Sequence, residues 1–314
     1  MTTEETPRVE WARWASRIGT FSVSLLLVTL VLHHFASLPT PLAINLFLTG
    51  LAGAGVGVLI GLAALARIWF TDQAGAGAAA VGVLLGLAAL AGPAVFLAAH
   101  LDRPWINDLT TDWASPPAFS ALAKRPPGAN PVAYPGQPFA DLQTKAYPDL
   151  RTLVLERPVE EAFELVEEAV RRLRWRVVAE EPPMPPTGGR PAEPGIIEAT
   201  EQTLLVGFTD DIVIRVNGSA TRARIDARSA SRYGGSDFGQ NAQRLRRLLA
   251  EIRARAEITP TAAMEAKQRS HGAAARALLK RQKARDQQKA ESRNARAPGR
   301  SDARRAPARK EPPR

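Results

Sequence analysis

The chain is predicted to be a membrane α-helical anchor of three transmembrane helices joined to an α+β domain, an antiparallel sheet with two helices packed on one face. Two observations carry this. Three long apolar runs, Ile18–Phe35, Leu42–Ala66 and about Gly77–Ala99, open the chain, and each approaches or exceeds the roughly 20 residues that cross a bilayer as a helix. The periodicity then changes to strand, amphipathic helix, several alternating strands and a last amphipathic helix, the pattern of helices set against one face of a sheet.

A cleavable signal peptide fits the first run poorly, because two further spans follow at once. Arg8, Arg13 and Arg17 precede the first span, the loop 36–41 carries no charge, and Arg67 ends the second span. Positive flanks mark the cytoplasmic side, so the amino terminus is expected inside and everything after His100 outside, in the periplasm of a Gram-negative host. The expected organisation is a cytoplasmic N-terminus at 1–17, the transmembrane region at 18–100, a proline-rich strap at 101–146, the α+β domain at 147–255 and a basic tail at 256–314. Gly53, Gly57 and Gly61 on the second span, and Gly82 and Gly86 on the third, recur every four residues. Such stripes let backbones approach closely, here to pack spans of one chain together.

The formal charge is +10, with 18 basic and 6 acidic residues from Arg253 onward against 23 and 25 before it. The basicity therefore belongs to the tail, which has too few large apolar residues to fold and is expected to be disordered. An outward tail meets acidic lipid or envelope glycan, so no nucleic-acid partner is expected. The chain has no cysteine, which excludes disulfides and thiolate metal sites. His33, His34 and His100 fall at one boundary of the anchor, but spacing alone fixes no coordination geometry, so no metal and no cofactor are expected.

In the strap, prolines at 116, 117, 126, 127, 131, 135 and 138 argue for extended chain. Asp108 and Asp112 suit turn capping better than a cation site. Leu150–Glu156 is expected as a strand, and Pro158 opens a helix with Phe163, Val166, Ala169, Val170 and Leu173 on its apolar stripe. Trp175–Ala179 and Ile196–Phe208 are further strands, the second with a bend or bulge. Asp211–Val216, a turn at Asn217–Gly218 and Thr221–Arg228 form a hairpin. Alternation puts Ile212, Ile214, Val216, Ala223, Ile225 and Ala227 on the core face. It puts Asp211, Val213, Arg215, Arg222, Arg224, Asp226 and Arg228 on a largely polar outer face, with an Asp211–Arg224 cross-strand pair. Asp237 is the expected N-cap of the last helix. Phe238, Leu245, Leu248, Leu249 and Ile252 are expected on that helix's buried side, with Arg244, Arg247 and Arg255 off it.

Several motifs resemble the domain of unknown function 1499 family: Asn107–Asp112 (NDLTTD) with Pro116–Phe119 (PPAF), Tyr147–Asp149 (YPD), Gly207–Asp211 (GFTDD), Arg228–Arg232 (RSASR) and Gly235–Arg244 (GSDFGQNAQR). The resemblance covers about Trp105 to Ile252. It implies a bacterial, often membrane-linked domain without an established activity, and hence the inner membrane as its location. It supplies no catalytic residues.

The ligand-facing stretch is expected at the turn after the hairpin, formed by Arg228, Ser229, Ser231, Arg232, Gly234, Gly235, Ser236 and Asp237. Guanidinium forks, close backbone approach at the glycines and a helix start all suit an anion. The competing expectation is that Asp237 occupies some of those amides, that Asp210, Asp211 and Asp226 neutralise the arginines, and that Arg228 and Arg232 only pin the turn to the sheet. The resulting expectation is a membrane-anchored envelope protein that binds or supports an anionic lipid or glycan, with the bilayer as its first partner. The alternative is an enzyme acting on an anionic or acylated envelope molecule through Ser229, Ser231, Asp210 or Asp211. Since the only histidine after His100 is His271 in the tail, a Ser-His-Asp triad has no base in the domain.

Overall fold

The computed structural model describes residues 9–186, 192–204 and 206–259. The tail expected at 256–314 lies almost wholly outside the described residues, apart from the end of the last helix.

The chain starts as three antiparallel helices, α1 (Glu10–Phe35), α2 (Thr40–Thr71) and α3 (Ala76–Ala98), each long and apolar enough to cross a membrane. Small residues set their packing. A Cβ on Gly86 would fall 2.7 Å from the Ala54 carbonyl oxygen of α2, and one on Gly82 would fall 2.6 Å from the Ala15 oxygen of α1. The glycine stripes thus bring all three helices of one chain together, as packing rather than hydrophobicity requires inside a bilayer. α3 continues through Pro93.

The α+β domain is built on an open antiparallel sheet in the order β1-β6-β5-β4-β3. The strands are β1 (Asp108–Thr110), β2 (Leu153–Leu155), β3 (Arg176–Glu181), β4 (Gly195–Gln202), β5 (Thr209–Gly218) and β6 (Ala223–Ser231). β1 and β2 pair with opposite ends of the same edge of β6. Two amphipathic helices, α5 (Val159–Arg172) and α6 (Gln240–Ile258), cover one face. Their stripes bury Phe163, Val166, Val170, Leu245, Leu248 and Ile252 against Ile197, Ile212, Ile214, Val216 and Ile225 of the sheet.

Four expectations are corrected. The strap is not wholly extended: it contributes β1, a 3₁₀ turn at Ala121–Ala123 and the helix α4 (Gln137–Ala146), whose first turn tolerates Pro138. The hairpin does not turn at Asn217–Gly218. Both strands run on until Gly218 pairs with Ala223, and Ser219–Arg222 makes the loop, with the Ser219 amide donating to the Arg222 carbonyl at 2.9 Å. This register slides β6 by an even number of residues, so every side chain keeps its face while Asp211 meets Ala230 and not Arg224. The bulge falls in β3, between Val177 and Ala179, and not in the following strand.

The fourth correction decides the character of the site. The middle of the polar face of the sheet, with Glu198, Asp211, Asp226 and Arg228, is buried under the strap, while Arg222 and Arg224 at the hairpin end stay exposed. Glu198, fully enclosed, accepts hydrogen bonds from the amides of Ser120, Ala121 and Leu122 and from the Ser120 hydroxyl. Arg125 reaches Asp211, Arg228 takes Asp108, and Arg215 joins Asp112 to Asp226. Buried charges are tolerated only when paired in this way.

Candidate functional site

The last strand ends at Ser231, and the chain turns through Arg232–Gly239 into α6. Gly234 has φ +87°, a left-handed conformation that suits glycine, and its carbonyl accepts from the side-chain amides of Asn107 and Asn130. Asp237 caps the helix entrance as expected, accepting from the Gly239 and Asn241 amides at 2.8 Å each. Helical hydrogen bonding starts only at Gln240, because Phe238 and Gly239 both hold positive φ.

Alternation along β6 sends the expected ligand-facing residues to two sides. Arg228 lies on the strap face, buried, with both forks on the Asp108 carboxylate at 2.7 and 2.9 Å, and with the Phe119 and Tyr134 rings beside it. Burial pushes the Asp108 carboxyl up from its ordinary value, and Arg228 works against that. Burial likewise raises the Tyr134 hydroxyl to about 12. Arg232 binds Asp211, which Arg125 already contacts. Neither arginine offers the free fork expected of it, because buried carboxylates of the same domain have taken them.

Ser229 and Ser231 point to the helix face. The Ser229 hydroxyl donates to Asn241 Oδ1 and accepts from Arg244 Nη1. Ser231 Oγ accepts from Asn241 Nδ2 and also bonds Asp210. Arg244, expected off the buried side of α6, is in fact among the largest fully buried side chains, clamped between Asp210 at 2.6 Å and Glu201 at 2.5 Å. Burial raises the Asp210 carboxyl while Arg244 opposes the shift. Gly235 packs beside the Trp105 indole, and Ser236 Oγ accepts from the Phe238 amide.

These residues line a cleft only in part. A cavity of about 460 Å³ opens between the ends of α2 and α3 and the domain. Ser231, Gly234, Ser236 and Asp237 form its polar side together with Asp210, and Ile44, Phe96, Leu204, Val206, Phe208 and Phe238 form its apolar side. Arg228, Ser229, Arg232 and Gly235 are not among its walls. The apolar wall escaped sequence reasoning because it is assembled from the anchor and the β4–β5 turn, some 160 residues apart. The one available signal was the turn itself, where Leu204, Val206 and Phe208 put large apolar side chains in a place that is usually polar.

Three contacts join that turn and the helix entrance to the anchor. His33 of α1 bonds the Val206 carbonyl through Nδ1 at 2.6 Å and the Thr40 hydroxyl through Nε2 at 3.1 Å. The Phe208 ring meets His33 edge-on. Phe238, expected in the domain core, instead stacks edge-on with Phe96 of α3, His100 and Trp105. The histidines therefore pack and pin, and no cluster of three metal-ligating side chains is found among the described residues.

Fold and site together define a protein with three membrane-spanning helices carrying an α+β domain against one end of the bundle. Residues 108–252 match the model of a family described as Protein of unknown function (DUF1499), in agreement with the motif resemblance. The match covers the α+β domain and the strap and leaves the three helices outside it. No curated protein and no solved structure matches the chain.

Proposed function

We propose that this protein is a membrane-anchored binding domain whose ligand is a single-chain amphiphile with an uncharged, hydroxyl-bearing head, taken up from the bilayer into the cleft between anchor and domain. The observation that carries this reading is the composition of the cleft walls. One wall is apolar and built jointly by Ile44 and Phe96 of the membrane helices and by Leu204, Val206 and Phe208 of the domain. The other wall ends in Ser231, Asp210 and Asp237. Pockets that combine a mostly apolar lining with a few convergent polar groups are the usual form of a small-molecule site.

The head chemistry follows from the same wall. Asp210 and Asp237 are acceptors pushed upward by burial, and Arg244, which contacts Asp210, is already shared between two carboxylates. A phosphate or carboxylate placed there would face two acidic groups, so the anionic ligand expected at this turn is not the one its geometry favours. Hydroxyl groups can donate to those acceptors. The arginines that precede the first span favour a domain outside the cytoplasm, on a bacterial inner membrane.

The test uses the full chain in neutral detergent and a spin-labelled monoacylglycerol. Leu204 is 89 % exposed on the turn, so Leu204→Asp charges the apolar wall without entering the core. Binding is expected to weaken by about tenfold or more, from burial of a charge against the acyl chain, at an unchanged melting temperature. Equal binding by the variant rejects the cleft as the site. A reporter fused after Asp112 is expected to read external, and a cytoplasmic signal overturns the sidedness.

A further inference from the structure

We infer that the chain carries a second site, separate from the cleft, in which Arg174 and Arg176 hold a phosphate group beside the Asp211-bound Arg232. An open groove of about 650 Å³ lies on the strap face where β3 and β4 meet, with these three arginines, Thr200 and Gln202 in its walls. Its charge is not compensated. Among the described residues the side chains of Arg174 and Arg176 make no ion pair and no hydrogen bond, and both residues are exposed. Asp211 is shared by Arg125 and Arg232, two cations on one buried carboxylate. Glu201, the acidic residue of the groove, is already bound by Arg244 and Arg247. The groove therefore presents an excess of guanidinium groups, whose planar forks match phosphate oxygens.

The backbone at Arg174 gives a second, independent reason. α5 ends in a motif in which the Arg174 amide donates to the Arg171 carbonyl at 3.1 Å and the Trp175 amide to the Val170 carbonyl at 3.3 Å. Arg174 holds φ 58° there, the left-handed position that helix ends normally give to glycine. Capping alone would be served better by glycine, so the arginine stands here at the expense of backbone comfort. Strained positions of this kind gather at ligand sites.

The location suggests where a phosphate would come from. Gln202 and Thr209 of the groove flank the 203–208 turn, whose Val206 carbonyl is bonded by His33 of the first membrane helix. The groove thus opens at the anchor end of the sheet, the side on which the headgroups of a bilayer around the three helices would lie. A soluble phosphate ester offers the same chemistry, and the experiment separates the two sources.

Full-length protein in neutral detergent is titrated with inorganic phosphate and with monomeric dihexanoyl phosphatidylglycerol, with calorimetry as the readout. Saturable binding of at least one is expected; tighter binding of the lipid assigns the headgroup as source, and tighter binding of inorganic phosphate assigns a soluble ester. Arg174→Gly and Arg176→Ser are each expected to weaken binding about tenfold or more, as loss of a charge-assisted contact should. Arg174→Gly is also expected to melt at or above the wild-type temperature, because glycine relieves the backbone. Arg222→Ser, in the loop at the far end of the hairpin, is the charge control and should bind normally. The proposal is overturned if neither probe binds at millimolar concentration, if Arg174→Gly binds like the wild type, or if Arg222→Ser loses as much as the groove variants.

Discussion

Glu198 shows what a single buried carboxylate does in this domain. Its Oε1 accepts from the Ser120 amide, the Ser120 hydroxyl and the Ala121 amide, and its Oε2 accepts from the Leu122 amide at 2.8 Å. Four donors at the start of a 3₁₀ turn are thereby tied to the middle of β4. Glu198→Ala leaves them buried without a partner, and a loss of about 3 kcal/mol is expected in denaturant unfolding, with the midpoint moved and the slope kept. Glu198→Gln keeps an acceptor at the Oε1 position and should cost about 1 kcal/mol. A surface pair makes the contrast. Arg246 holds Asp149 through two hydrogen bonds, and that contact, the largest cause, depresses the Asp149 carboxyl. A depressed folded value means stability present above the unfolded value and lost as pH falls through the folded one. Both side chains are about half exposed, so the solvent-screened effect is under about 1 kcal/mol. The melting temperature of Asp149→Asn should therefore approach that of the wild type as the pH is lowered below the carboxylate range.

Between elements, close approach of backbones does for the anchor what paired charges do for the sheet. Gly82 of α3 sits on the Ala15 backbone of α1, and a carbonyl cannot move aside as a side chain can. Gly82→Ala should force the two helices apart and cost about 1–3 kcal/mol, as overpacking does. Gly92→Ala on the same helix has nothing within 4 Å of the new Cβ and should be neutral or slightly stabilising. Thermal unfolding of both variants in one detergent decides the matter; equal melting temperatures would mean that the glycine seam does not set the packing. The strap works by different means. Its order comes from Glu198, Asp211 and the arginines beneath it rather than from an apolar face, although Phe119 and Leu122 add a small cluster with Val213 and Ala230.

Across the molecule, contacts that join the anchor to the α+β domain include His33 with Val206 and Phe208, and Phe238 with Phe96, His100 and Trp105. Both lie at the cleft, so what holds the domain to the membrane bundle also shapes the proposed site. His33→Ala removes the bond to Val206 and should speed amide exchange at Gly207 and Phe208, whose donors are Thr203-directed and local to the turn. Exchange in β5 and β6 should not change. Unaltered exchange at the turn would show that the histidine is not what holds it.

Architecture was largely legible in the amino-acid order, because it rests on patterns that survive without neighbours. Runs of about 20 apolar residues mark spans, a period of 3.6 marks α5 and α6, and alternation marks the two faces of β5 and β6. The even register shift kept Ile212, Ile214 and Val216 on the core face even though the turn was misplaced by several residues. Glycine spacing likewise announced the helix seams. Partners were another matter. That Arg228 would be spent on Asp108, Arg232 on Asp211 and Arg244 on Asp210 depends on segments 21 to 120 residues apart in the chain. The cleft depends on where three membrane helices end relative to one β-turn. Periodicity reports which way a side chain points relative to its own element. What stands opposite it is decided by the packing of distant elements, and only the tertiary structure turned the part of that arginine-rich face beneath the strap into a buried, neutralised layer.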